Sequence, residues 1–169
     1  MRFSELFSVP LPTRRSTVHL AKWLASGLHP SDLIVLVGPL GAGKTFLVRA
    51  LARQLGLSVQ HRVTSPTFAL VHYLPTTPPV VHADLYRLAD IDELQHLGLR
   101  DERVQGAVVI VEWGEQYIDA LGGQALVVRF DVKNHRRVAV IQWAGTTRTH
   151  WHELAAPTQL AVQNGASAG

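Results

Sequence analysis

The 169-residue chain contains no cysteine. That excludes a disulfide framework, a thiolate metal site and a cysteine nucleophile. No apolar run approaches the ~18 residues that a membrane-spanning helix needs. No long apolar stretch follows Met1-Arg2-Phe3-Ser4-Glu5, so a signal peptide is not expected. Charge is sparse, with Asp, Glu, Lys and Arg making up 17% of residues and a net charge of +3. About half of the basic residues stand singly, and Arg14-Arg15 and Arg136-Arg137 are the nearest to clusters. No nucleic-acid motif with interleaved aromatics accompanies them, so they read as solubilising charge. No internal repeat is present. A soluble, cytoplasmic chain is expected, with one domain over residues 1–155 large enough to bury a core. Residues 156–169, rich in Ala, Gly, Gln and Ser, are expected to form a disordered tail.

What is present is more specific. Gly38-Pro39-Leu40-Gly41-Ala42-Gly43-Lys44-Thr45 fits the phosphate-binding pattern G-x-x-x-x-G-K-[ST]. Its glycines let a tight loop turn backbone N–H groups inward around a phosphate. Lys44, expected as a surface cation, reaches the β/γ-phosphates, and the Thr45 hydroxyl suits Mg²⁺. The flanks agree with this. Leu33–Val37 is an unbroken apolar run that reads as a buried strand. Phe46–Leu55 carries apolar residues at Leu47, Leu51 and Leu55 and stops at Gly56, so it reads as a helix. Strand, loop and helix stand in the order that a nucleotide site requires.

The rest of the chain alternates strands and short helices. Strands are expected over residues 3–9, 69–74, 80–86, 107–111, 125–132 and 137–143, the last two joined by a turn at Lys133-Asn134-His135. Helices are expected from Thr13 to Ser26, from an Asp90 N-cap to His96 or Leu97, and over 115–121. Hydrolysis needs a second acid at the end of a neighbouring buried strand. Glu112 follows Val108–Val111 and fits; Asp84 follows Val80–Ala83 and competes with it. His72 and His82 match no zinc spacing, so they read as solvated or structural histidines. Trp23, Trp143 and Trp151 read as core or partner contacts, whereas Trp113 follows Glu112 directly.

The ordered set Ser65-Pro66-Thr67-Phe68, His82-Ala83-Asp84-Leu85-Tyr86-Arg87-Leu88, Glu93-Leu94 with Leu97-Gly98-Leu99, and Val111-Glu112-Trp113 resembles the TsaE family. These are bacterial ATPases of tRNA threonylcarbamoyladenosine synthesis. The resemblance covers about residues 10–140. It implies a single α/β P-loop NTPase-like domain, with a mixed central sheet flanked by helices. It implies binding and weak hydrolysis of ATP with Mg²⁺, and partnership with the TsaB and TsaD proteins. That complex modifies adenosine 37 of tRNAs reading ANN codons, and ATP hydrolysis supports its turnover rather than the transfer itself. Contact with tRNA is thus indirect, and no membrane is involved.

By the same resemblance, Gly41, Ala42, Gly43, Lys44, Thr45 and Phe46 bind the phosphates, and Thr45 and Glu112 hold Mg²⁺. Glu112 and Asp84 line the metal and water site, Thr67 sits in a switch-like loop, and Trp113 lies beside the site. Arg136 approaches the base or ribose, with Arg137 an equally good alignment. Pro39 and Phe46 depart from the family's usual acid and hydroxyl residue, which bears on nucleotide affinity. Two other readings compete. A small-molecule kinase would need an arginine-dense lid, and a GTP switch would need N-K-x-D; neither is present. No arginine finger is assignable, so charge stabilisation is expected from a partner.

Overall fold

An apolar pentapeptide has no face to give to water, so it belongs inside a sheet covered on both sides. The computed structural model, which describes residues 2–133 and 136–157, puts both such runs there. In chain order the elements are β1 (Phe3–Pro10), α1 (Arg14–Gly27), β2 (Leu33–Val37), α2 (Lys44–Gln54), β3 (Val71–Leu74) and β4 (Val80–Asp84). Then follow α3 (Ile91–His96), α4 (Leu99–Val104), β5 (Val108–Glu112), β6 (Ala125–Lys133) and β7 (Arg136–Ala144). Short 3₁₀ turns cover Glu115–Tyr117 and His150–His152.

The sheet runs β1-β7-β6-β2-β5-β4-β3. β2 lies between β5 and β6 and is parallel to both, and β4 is parallel to β5. The β1–β7, β6–β7 and β3–β4 pairs are antiparallel, so the sheet is mixed. Side-chain alternation splits the core in two. Ile34, Leu36, Val108 and Ile110 pack beneath α1 and α2, with Leu20, Leu24, Leu47 and Leu51. Leu33, Val35, Val109 and Val111 face the other way, toward Leu94, Leu99, Tyr117 and Ile118. Among the described residues, no helix is long and apolar enough to cross a membrane.

Three elements differ from expectation. The helix expected over 115–121 is a 3₁₀ turn at Glu115–Tyr117. Gly114 offers it no side-chain cap, and Gly122 and Gly123 take positive φ just beyond, so a longer helix is not nucleated. Gly98 does end α3, at φ 65°, but the chain then restarts as α4. Asp101 and Glu102 in the first turn of α4 favour that start. The third is the His150–His152 turn, which seats Trp151 at 1% exposure against Trp23, with ring centroids 5.7 Å apart. Trp23 Nε1 donates to the Ala155 carbonyl at 2.9 Å. The hairpin residues Asn134 and His135, and the tail from residue 158 onward, lie outside the described residues.

Candidate functional site

The site sits at the carboxyl ends of the parallel strands, where α2 begins. Gly38 leaves β2 at φ 145°, and a Cβ there would meet the Phe130 carbonyl oxygen at 2.8 Å. Gly43 caps α2 at φ 107°, a left-handed conformation that disfavours any side chain. Gly43 supplies no side-chain cap, and among the described residues no other side chain hydrogen-bonds to the first-turn amides of α2. These amides thus lack an intrahelical acceptor, and with the helix dipole they suit an anion.

Lys44 is buried, at 4% exposure, rather than the surface cation expected. Its Nζ donates to the carbonyls of Gly38 (2.8 Å) and Pro39 (3.1 Å) and lies 4.3 Å from the Trp113 ring centroid. Burial holds its pKa below the usual lysine value, and the charges of Glu112 and Asp84 oppose that shift. The loop thus folds its own cation back on itself.

Register brings the acids in. Asp84 on β4 pairs with Glu112 on β5, and Leu36 on β2 pairs with Glu112 from the other side. Thr45 Oγ1 donates to Glu112 Oε1 at 2.8 Å. His82, wholly buried two residues before Asp84, lies 3.0 Å by Nε2 from the same oxygen. Asp84 is committed elsewhere. Its Oδ2 accepts from the Ser65 and Thr67 hydroxyls, the latter at 3.1 Å, and its Oδ1 accepts from the Tyr86 amide at 3.1 Å. Asp84 therefore ties the 65–67 loop to the sheet, whereas Glu112 faces Thr45.

Gly41, Gly43, Lys44, Thr45, Phe46, Thr67, Asp84, Glu112 and Trp113 all line one cavity of about 420 Å³. Ala42 is buried behind it, and its carbonyl accepts from Arg137 Nη1 at 3.3 Å. Arg137 also reaches the Thr13 carbonyl, joining α1 to the loop. Arg136 is exposed and makes no side-chain hydrogen bond among the described residues. Neighbours on a strand point to opposite faces, so only one of this pair can face the loop. Ser65, Tyr86 and Arg87 also line the cavity; sequence reasoning quoted them without assigning them a role there. Arg87 lies over the exposed Phe68 ring, 4.6 Å from its centroid.

Among the described residues, no group of three or more His, Cys, Asp or Glu side chains could hold a metal ion. The donor set suits Mg²⁺ instead, which typically takes one or two protein oxygens and completes its shell with phosphate and water. Thr45 and Glu112 are the residues that would hold it.

The family model described as "Threonylcarbamoyl adenosine biosynthesis protein TsaE" matches residues 11–156. A "tRNA threonylcarbamoyladenosine biosynthesis protein TsaE" of Mycobacterium tuberculosis is 38% identical over 144 residues, covering 79% of this chain and 84% of that protein. The protein of that name in Streptomyces coelicolor is 43% identical over 116 residues, covering 66% and 76%. The crystal structure of Bacillus subtilis YdiB superposes with a TM-score of 0.63 at 24% identity, over 86% of this chain and 89% of that one, and shares its fold. A phosphate loop, a carboxylate on the adjoining parallel strand and relatives over most of the length converge on one assignment: the chain belongs to the TsaE family.

Proposed function

We propose that this protein binds ATP with Mg²⁺ and hydrolyses it slowly, as the ATPase of the machinery that forms threonylcarbamoyladenosine at position 37 of tRNAs reading ANN codons. The carrying observation is the convergence of Lys44, Thr45 and Glu112 on one cavity, in a chain whose relatives are named for this modification. In this reading the α2 amides and Lys44 bind the phosphates, and Thr45 and Glu112 hold the cation. Bound Mg²⁺ would neutralise developing charge on the phosphates. Glu112 would orient the attacking water and accept its proton, while Asp84 holds the 65–67 loop, with Thr67, at the edge of the cavity. TsaB and TsaD are the proposed partners, the cytoplasm the proposed location, and complex turnover the proposed use of hydrolysis.

The test is turnover. The isolated chain should hydrolyse ATP slowly, and adding TsaB and TsaD together should raise the rate. Rapid hydrolysis by the chain alone, indifferent to both proteins, would overturn the regulatory reading. A small-molecule kinase would instead stay idle until an acceptor was added.

Trp113 supplies an optical readout. Its ring lies against Lys44 and 5.1 Å from the Tyr86 ring centroid. Drawing Lys44 toward phosphate alters the ring's surroundings, so ATP should change the emission of the parent protein. Trp113→Phe should lose that change, because Trp23, Trp143 and Trp151 are buried away from the cavity. An equal change in both proteins would mean that Trp113 does not sense the nucleotide.

A further inference from the structure

Packing alone does not explain His82. Val80, His82 and Asp84 share one face of β4, and Val80 belongs to the apolar layer under α2. A branched aliphatic side chain would suit such a layer better than an imidazole. Yet His82 is fully buried, with Nε2 3.0 Å from Glu112 Oε1 and Nδ1 without a hydrogen-bond partner among the described residues. A carboxylate oxygen only accepts, so Nε2 carries the proton. That tautomer leaves just a lone pair unmatched on Nδ1. The other would bury an unpaired N–H on Nδ1 and set two acceptors face to face at Nε2.

We infer that His82 is the positioning residue for Glu112. Its Nε2–H pins Oε1 from the strand side, leaving Oε2, which takes no hydrogen bond among the described residues, as the oxygen to meet water or metal. Thr45 also binds Oε1, but its hydroxyl is the one proposed to hold Mg²⁺, and in that reading it would give up this bond to the cation. His82 sits within β4, held in the parallel β4–β5 pair in register with Ile110, and has no such second role. It is to Glu112 what an outer-sphere partner is to a metal ligand: a group that sets which lone pair faces the chemistry. This inference rests on the proposed ATPase role for its functional consequence, though the hydrogen bond itself does not.

Two substitutions and one spectrum test it. His82→Leu fills the space but cannot donate; His82→Gln keeps an N–H near the position of Nε2. With TsaB and TsaD present, single-turnover hydrolysis should fall about 10–100-fold in His82→Leu. His82→Gln should recover most of the loss, and ATP affinity should change little in either. Parental hydrolysis in a folded His82→Leu would overturn the role, and so would a loss in His82→Gln equal to that in His82→Leu at the same melting temperature. The spectrum needs no turnover. In the full chain labelled with ¹⁵N-histidine, two-bond proton–nitrogen correlations should show the His82 proton on Nε2 and a shift of that nitrogen in Glu112→Gln. A proton on Nδ1, or indifference to Glu112→Gln, overturns the contact. If the parent fails to hydrolyse ATP even with its partners, the ATPase reading falls, and the spectrum still decides whether His82 holds Glu112.

Discussion

Glu112→Gln should leave ATP bound and slow its hydrolysis by about 10²–10⁴, the usual cost of a lost acid–base group. Glutamine matches glutamate in shape, and its carbonyl oxygen can still accept from Thr45 Oγ1 and His82 Nε2. What disappears is the charge, and with it the capacity to take a proton or to hold Mg²⁺ well. The proposed phosphate contacts, Lys44 and the α2 amides, keep their places, although Lys44 loses one of the two acidic charges that offset its burial. Affinity should therefore drop only modestly, through the metal. Asp84→Asn is the control. Both oxygens of Asp84 are occupied, by Ser65, Thr67 and the Tyr86 amide, so its loss should loosen the 65–67 loop more than it impairs proton transfer. Single-turnover rates with partners present decide between them. Near-normal hydrolysis in Glu112→Gln with collapse in Asp84→Asn would make Asp84 the working acid.

The contrast between these two carboxylates shows where sequence reading stops. Both follow apolar strands, and from spacing alone both are plausible. Register then places them side by side, and only the hydrogen bonds distinguish a residue holding a loop from one facing Thr45. The phosphate loop was legible because its glycines answer a local backbone demand, which a linear pattern can record. The central strands were legible because an all-apolar pentapeptide has few other places to go. Arg136 and Arg137 were not separable, because the choice depends on which face of β7 meets the loop. His82 was read only as a solvated or structural histidine, and the structure shows it buried: its place two residues before Asp84 puts it on that acid's face, but nothing in one sequence says what lies opposite. Lys44 was misjudged as a surface cation for a related reason. Its burial comes from Trp113, 69 positions away, whose ring folds over it. Trp113 does so from φ 63°, a backbone angle unusual for an aromatic residue.

Lys44→Ala should cost at least roughly 100-fold in ATP affinity while preserving the fold. The ammonium is held by two loop carbonyls and the Trp113 ring, and burial lowers its pKa by making its charge costly. Phosphate would replace those neutral acceptors with charged ones. Hydrogen bonds to charged groups contribute about 1.5–3 kcal/mol each, and losing two of them corresponds to a drop in affinity of roughly 10²–10⁴-fold. Stability should move far less. Alanine leaves the Gly38 and Pro39 carbonyls beside an open cavity where water reaches them, and it removes a charge whose burial opposed folding. A shift in melting temperature within about 4 °C is expected, near 1 kcal/mol for a chain of this size. Isothermal titration with ATP and Mg²⁺, paired with thermal unfolding, separates the two effects. Undiminished affinity in a normally folded Lys44→Ala would remove Lys44 from the phosphate site. Lost affinity with a collapsed melting temperature would recast Lys44 as a structural clamp on its own loop.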